Sequence, residues 1–327
     1  MNEIEKNNCE NNIEIVTMIP NDADWPALLR EIPHPPARLF RRGTWPPRFS
    51  NGTVVNKETK FLCVVGARKH SSYGREVCET LIAGLAGYNI CIVSGLALGL
   101  DAIAHEAALA ARIPTIAFPG SGLNPDVLYP PRNFRIAKLI IDAGGTLLSE
   151  FENNMEATPW CFEQRNRLMA GISHATLVIE AQRPSGTLIT SKYAGEYNRD
   201  TFAVPGEIFS PLSAGPHKLI KDGAAIIRNS NDILHQLRIK TLDEETSNKN
   251  KTTGQKELFE KIRGETDEEK LLYKIILDAG GKIQKDKLIH ERMKIRQSNV
   301  SEILVTISLL EMNGLIAERN ELICINF

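Results

Sequence analysis

Four glycine-bearing loops carry the residues whose types and spacing suit chemistry. They are Gly66-Ala67-Arg68-Lys69-His70-Ser71-Ser72-Tyr73-Gly74, Ser94-Gly95-Leu96-Ala97-Leu98-Gly99, Pro119-Gly120-Ser121-Gly122 and Arg183-Pro184-Ser185-Gly186-Thr187. Each follows a short apolar run and leads into a helical pattern. Glycine lets backbone approach a ligand closely, and the unpaired N–H groups and dipole of a helix start attract anions. Four such loops together predict a phosphate-binding surface. Arg68 and Lys69 put two positive charges on the first loop, and Arg132, Arg135, Arg165 and Arg167 follow others. Guanidinium forks suit phosphate oxygens and stack on bases.

Nucleotide signatures are absent. The first loop reads GARKHSSYG in place of G-x-G-x-x-G, and no G-x-x-x-x-G-K-[ST] occurs. Catalytic machinery is equally scarce. Asp101 and His105 are four residues apart and share a helix face, but no serine or cysteine nucleophile is placed for them. They read as a first-turn acid and a packed histidine. Glu150 and Glu163 show no pairing suited to hydrolysis, and there is no H-E-x-x-H. No catalytic residue, metal site or cofactor is called for.

The elements that must position these loops follow from apolar rhythm. Phe61–Val65, Ile90–Val93, Thr115–Phe118, Thr146–Leu148, Ala175–Ala181, Thr201–Val204 and Ala224–Ile227 read as strands. Most are continuously hydrophobic, as parallel strands covered on both faces are. Helical patterns alternate with them, such as Leu100–Arg112. The expectation is an α/β fold, a doubly wound and mostly parallel Rossmann-like sheet over residues 61–238 whose ligands sit beyond the strands' carboxyl ends. Before it, residues 1–12 read as a disordered tail and 13–60 as a Pro/Arg-rich arm on the surface of the core. Residues 239–267 read as a polar linker. From 268 onward the pattern predicts helices over Glu268–Leu277, within Lys282–Arg296 and over Gln297–Asn313. Strands Leu315–Glu318 and Leu322–Asn326 follow, the order of a small winged-helix domain.

Composition bounds the partners. The 327 residues are 42% hydrophobic and 24% charged, and a net charge of −1 requires any nucleic-acid contact to come from local patches. Six scattered cysteines without a C-x-x-C pair suggest a reducing compartment. The polar start and the lack of a long apolar run predict a soluble, cytoplasmic protein with no membrane contact.

The ordered motifs VVGARKHSSYG (64–74), SGLALGLDAIAHEAAL (94–109), FPGSGLNPDVLYPPRN (118–133), LLSEF (147–151), QRNRLMAGIS (164–173) and PSGTLITSKYA (184–194) resemble the bacterial DNA-processing protein A (DprA/Smf) family. FAVPGEI and GPHKLIKDGA extend the likeness. The resemblance implies an extended Rossmann-like fold that dimerises and binds single-stranded DNA. It also implies loading of the RecA recombinase during natural transformation, and no enzymatic activity. It carries phosphate contacts onto Gly66, Arg68, Ser94, Gly95, Gly122, Ser185, Gly186 and Thr187, and structural or contact roles onto Tyr129, Asn133, Arg165 and Asn166. The eight phosphate-contact residues with Lys69, Arg135, Arg165 and Asn166 form the candidate nucleic-acid-binding set. Leu98 departs from the family, many of whose members carry a basic residue there, and Gly215-Pro216-His217 stands where the family has G-T-N. Two other readings remain open. Lysine-decarboxylase-like phosphoribohydrolases carry a P-G-G-x-G-T-x-x-E loop, but here Thr190 takes the place of the glutamate. A winged-helix transcription factor would use the basic run Lys282–Arg296.

Overall fold

The computed structural model describes residues 14–49, 51–56, 58–240, 267–279, 282–295, 299–312, 316–319 and 322–325. They fall into two compact units divided within the stretch between residues 240 and 267. The tail at 1–12, and all of the expected linker except residues 239, 240 and 267, lie outside the described residues.

In the first unit, seven strands form the parallel part of one sheet: β3 (Lys60–Val65), β4 (Ile90–Ser94), β5 (Thr115–Ala117), β6 (Thr146–Ser149), β7 (Ala175–Val178), β8 (Asp200–Ala203) and β9 (Ala225–Ile226). The expected strands are all present. Alternate residues of β3 explain their continuous hydrophobicity. Leu62 and Val64 enter one core layer with α2 (Ser72–Ala83) and α3 (Leu100–Ala110), whereas Cys63 and Val65 enter the layer on the other face with α5 (Pro159–Ile172). The chain runs outward from β3 through β4 and β5 to β6, then returns to the other side of β3 with β7, β8 and β9. Its direction therefore reverses between β3 and β7, where α/β sheets open a crevice at their carboxyl edge.

The arm differs from expectation. It is part of the sheet, with β1 (Ile15–Met18) antiparallel to β2 (Leu39–Gly43) and β2 antiparallel to β6, so that the strand order is β1-β2-β6-β5-β4-β3-β7-β8-β9. Trp25, Leu29 and Leu39 are fully buried, Leu29 from the one-turn α1 (Ala27–Arg30). Strands of four and five residues are too short to show a period in sequence, yet they cover the β6 edge that would otherwise present unpaired amides.

The second unit has α9 (Asp267–Asp278), α10 (Lys285–Ile295) and α11 (Val300–Met312) with an antiparallel sheet. In that sheet β12 (Leu322–Ile325) lies between β10 (Lys282–Gln284) and β11 (Ile316–Arg319). Leu272, Ile276, Ile283, Leu288, Ile303, Ile307, Leu310, Ile316 and Ile323 make its core. Within Lys282–Arg296 the helix is α10, and strand β10 precedes it: Ile283 points into the core between two exposed neighbours, and three residues are too few to reveal alternation.

Leu39→Ala measures how firmly the arm is built in. The substitution is expected to cost about 2–5 kcal/mol through lost burial and a residual cavity. Urea unfolding followed by tryptophan fluorescence reports this unit, which holds Trp25, Trp45 and Trp160. An unchanged midpoint would show that the arm is dispensable to the core.

Candidate nucleic-acid interface

The carboxyl edge of the sheet gathers the four loops, but they are not equally open. After β3, Ser71 caps α2, its Oγ accepting from the Gly74 N–H at 3.0 Å. Above that cap sits the carboxylate of Glu180, from the end of β7. It accepts from the Ser71 N–H at 3.0 Å and from the Ser71 hydroxyl. Glu180 is 4% exposed, and a side chain on Gly74 would run into it. The helix start expected to attract phosphate already holds an anion from the chain itself.

Asp101 does the same for the second loop. Its carboxylate accepts from the backbone N–H groups of Gly66, Gly95 (3.2 Å) and Ala97. Burial pushes its pKa up, opposed by the adjacent Arg165 charge and by these amides. The Arg165 guanidinium is buried and donates to the carbonyls of Gly95 and Phe118. Arg165 is thus a buried brace, not a surface arginine. Ser94 is buried too, its hydroxyl donating to the Val64 carbonyl at 2.6 Å.

Three glycines of the candidate set have packing reasons. A Cβ on Gly66 would enter the Leu100 side chain, on Gly95 the Arg165 guanidinium, and on Gly122 the Glu152 and Asn153 carbonyls. The Gly122 N–H donates to the Met155 carbonyl at 2.8 Å. Ser94, Gly95, Gly122 and Arg165 therefore shape the edge from within, because a parallel strand end packed against a helix start leaves no room for side chains or free amides.

The fourth loop is open. Ser185 caps α6 (Gly186–Glu196), accepting from the Thr187 N–H at 3.2 Å, and α6 has no acidic residue in its first turn. Thr187 donates to the Gly66 carbonyl at 3.2 Å and Asn166 to the Gly186 carbonyl at 3.3 Å, which ties this loop to β3 and α5 across the switch point. Nothing lies within 4 Å of the space a Gly186 side chain would occupy. The result is a cleft of about 210 Å³ walled by Arg68, Phe162, Asn166, Ser185, Gly186 and Thr187, with Asp101 and Arg165 also lining it.

Beyond the cleft, the exposed Arg68 lies over the Phe162 ring, 5.2 Å from its centroid, and Phe162 tilts against Tyr129 at 5.6 Å. Phe162 was not singled out above; its place one turn from the site arginine and asparagine on α5 was the available signal. Lys69 is exposed beside Arg68. Arg135 is exposed in the first turn of α4 (Phe134–Asp142) and does not line the cleft. Asn133 holds the second loop through the Leu96 and Ala97 carbonyls at 2.8 and 3.0 Å. Arg167 is paired with Glu150. Leu98 is exposed, and His217 bonds the Gly206 carbonyl at 3.0 Å.

Among the described residues no group of three or more His, Cys, Asp or Glu could hold a metal ion, and no helix is long and apolar enough to cross a membrane. Cys63, Cys78 and Cys91 are buried, and burial raises all three thiols, Cys78 to about 12. His105 is also buried. It donates to the Thr115 hydroxyl (2.8 Å), whose own proton goes to the Ile92 carbonyl. Burial, reinforced by Arg165, lowers its pKa to about 3.

Comparison with known proteins bears on the whole of this unit. The family described as DNA recombination-mediator protein A matches residues 16–238, from β1 through α8 (Ser230–Gln236). Protein Smf of Escherichia coli is 39% identical over 227 residues, 68% of this chain and 56% of that protein. DNA processing protein DprA of Streptococcus pneumoniae is 42% identical over 173 residues, 53% of this chain and 60% of that one. The match spans about half the length of the Escherichia coli and Synechocystis relatives. The crystal structure of the Streptococcus pneumoniae protein aligns with a TM-score of 0.61 at 36% identity, over 68% of this chain and 74% of that one. DNA processing protein A from Helicobacter pylori, whose structure is described for its single-stranded DNA binding mode, aligns with a TM-score of 0.58 at 27% identity, over 69% and 96%.

The neutral His105 makes acid a specific stress. Its folded pKa lies below the ordinary 6.5, so its contribution is present above pH 6.5 and is lost as pH falls toward 3. At full slope one such proton is worth about 1.4 kcal/mol per pH unit. Denaturation midpoints from pH 7 to 4 are expected to fall less steeply in His105→Asn than in the parent. Parallel slopes would clear His105.

Proposed function

Because the chain belongs to the DNA recombination-mediator protein A family, we propose that it is a single-stranded DNA-binding recombination mediator whose strand runs along the carboxyl edge of the sheet. One observation carries this reading. The helix start at Ser185-Gly186-Thr187 has no acidic residue in its first turn, and it lines one cleft with Arg68 across the switch point. Such a start holds a phosphate through amides and dipole, and Arg68 supplies the countercharge. At about 210 Å³ the cleft is smaller than the usual small-molecule site of roughly 300–1,000 Å³. One backbone phosphate fits it better than a whole nucleotide.

Phosphate contacts then fall to Arg68, Ser185, Gly186 and Thr187, with Lys69 beside them and Arg135 extending the positive track. Asn166 and Gly66 hold the α6 start in place. The protein protects incoming DNA and loads RecA onto it, acting as a cytoplasmic homodimer with no catalytic step and no cofactor. Asp101 and His105 are consumed by the fold, and Thr190 stands where a phosphoribohydrolase needs its glutamate. The C-terminal unit is a small winged-helix-like module.

Oligo-dT is expected to bind more tightly than duplex, with affinity falling steeply as salt rises. Equal or tighter duplex binding at two salt concentrations refutes the reading. Arg68→Ala is expected to weaken oligo-dT binding roughly tenfold or more, the loss of one charged hydrogen bond. Gly186→Val should weaken it comparably at unchanged thermal stability, since the space above Gly186 is open in the protein. Normal affinity in both variants would move the strand elsewhere. Removing residues 243–327 should leave oligo-dT binding largely intact, and complete loss would place the site on the C-terminal unit.

A further inference from the structure

The loop after β8 carries the two most exposed large hydrophobic side chains among the described residues, Ile208 at 76% and Phe209 at 86%. Its backbone is tied at both ends. The Tyr73 hydroxyl donates to the Pro205 carbonyl at 2.7 Å, and His217 bonds the Gly206 carbonyl. On the far side the Ser210 N–H donates to the Glu207 carbonyl at 3.1 Å, closing a turn under the tip. The Ala181 N–H then donates to the Leu212 carbonyl at 2.8 Å. The two side chains are thus held out into water on a fixed backbone, and ordering that backbone against a partner costs little.

The tip's place in the fold narrows what it meets. Strand β8 is parallel to β7, so this loop leaves the same edge as Ser185-Gly186-Thr187. Tyr73 belongs to the loop that carries Arg68 and Lys69, and Ala181 precedes the loop that carries Ser185. The tip is therefore bonded to both of the segments that bring Arg68 and the α6 start to the cleft. At about 4.8 Å between strands, the β8 exit lies roughly 10 Å from that of β3.

Charge separates backbone from base. Lys69 and Arg183 are exposed on the two adjoining loops and attract phosphates, whereas the exposed Glu207 repels them from the tip. A strand whose phosphates follow the basic residues turns bases toward Ile208 and Phe209. An aromatic ring accepts any base by stacking. A protein partner is a poorer match. A specific interface takes about 800 Å² from each side, and these two side chains stand between the polar Glu207 and Ser210.

We propose that the tip receives a base of the bound single strand, with Phe209 stacking on it and Ile208 covering its edge, beside the nucleotide whose phosphate lies at the start of α6. The inference rests on the DNA-binding reading and extends the strand's path to the exit of β8.

Fluorescence anisotropy with labelled oligo-dT tests it in the full chain. Phe209→Ala should weaken binding about fivefold or more, the loss of one stacked base, at an unchanged thermal midpoint. Phe209→Trp should hold the strand as the parent does, and its added emission should fall when oligo-dT binds. On a strand of the same length made of abasic sites, parent and Phe209→Ala should bind alike. Parental affinity of Phe209→Ala for oligo-dT overturns the tip. So does an equal loss on the abasic strand, or emission from Phe209→Trp that oligo-dT leaves unchanged. A parent that holds no oligo-dT overturns the underlying reading and the tip with it, whereas loss in Arg68→Ala without loss in Phe209→Ala overturns the tip alone.

Discussion

Every amide at the carboxyl edge of a parallel sheet, and every helix start beside it, must find an acceptor or face water. In this protein one of those starts and a group of loop amides are closed from within. Glu180 comes from β7 to the start of α2, and Asp101 gathers the amides of the loops after β3 and β4. Arg165 balances the buried carboxylate while bracing two carbonyls. A buried charge of this kind is tolerable only when so surrounded. The start of α6 has no acidic residue in its first turn and opens onto the cleft beside Arg68.

An open start beside an exposed arginine and an aromatic pair suits a polymer better than a small molecule. The phosphate site sets position and carries no base preference. Arg68 over the Phe162 ring, with Tyr129 tilted against it, groups a guanidinium plane and two aromatic rings of the kind on which bases stack. Tolerance of sequence follows from that division of labour.

Much of the fold was legible because each central strand is buried on both faces and writes that fact as an unbroken apolar run. The arm was not, since β1 and β2 are short and take their order from β6. The glycines differ in their surroundings, which the sequence does not record. Gly66, Gly95 and Gly122 have the types and places of ligand-binding residues, yet what approaches them is the protein's own Leu100, Arg165 and Asn153. Gly186 looked no different in sequence and stands in open space. The role of Glu180 was hidden for the same reason: Ser71, its partner, lies 109 residues earlier, and no local pattern records such a pair.

The pairing of β2 with β6 joins Phe40 to Ser149. On the ribosome, at about 5–20 residues per second, the arm is made roughly 5 to 20 s before the strand it must lie against. Leu29, Leu39 and Trp25 spend that interval without their burial partners, a stretch of nascent chain suited to chaperone capture. A segment synthesised before the centre of the sheet is therefore among the last to be secured, and the sheet gains its protected outer margin only after its centre exists.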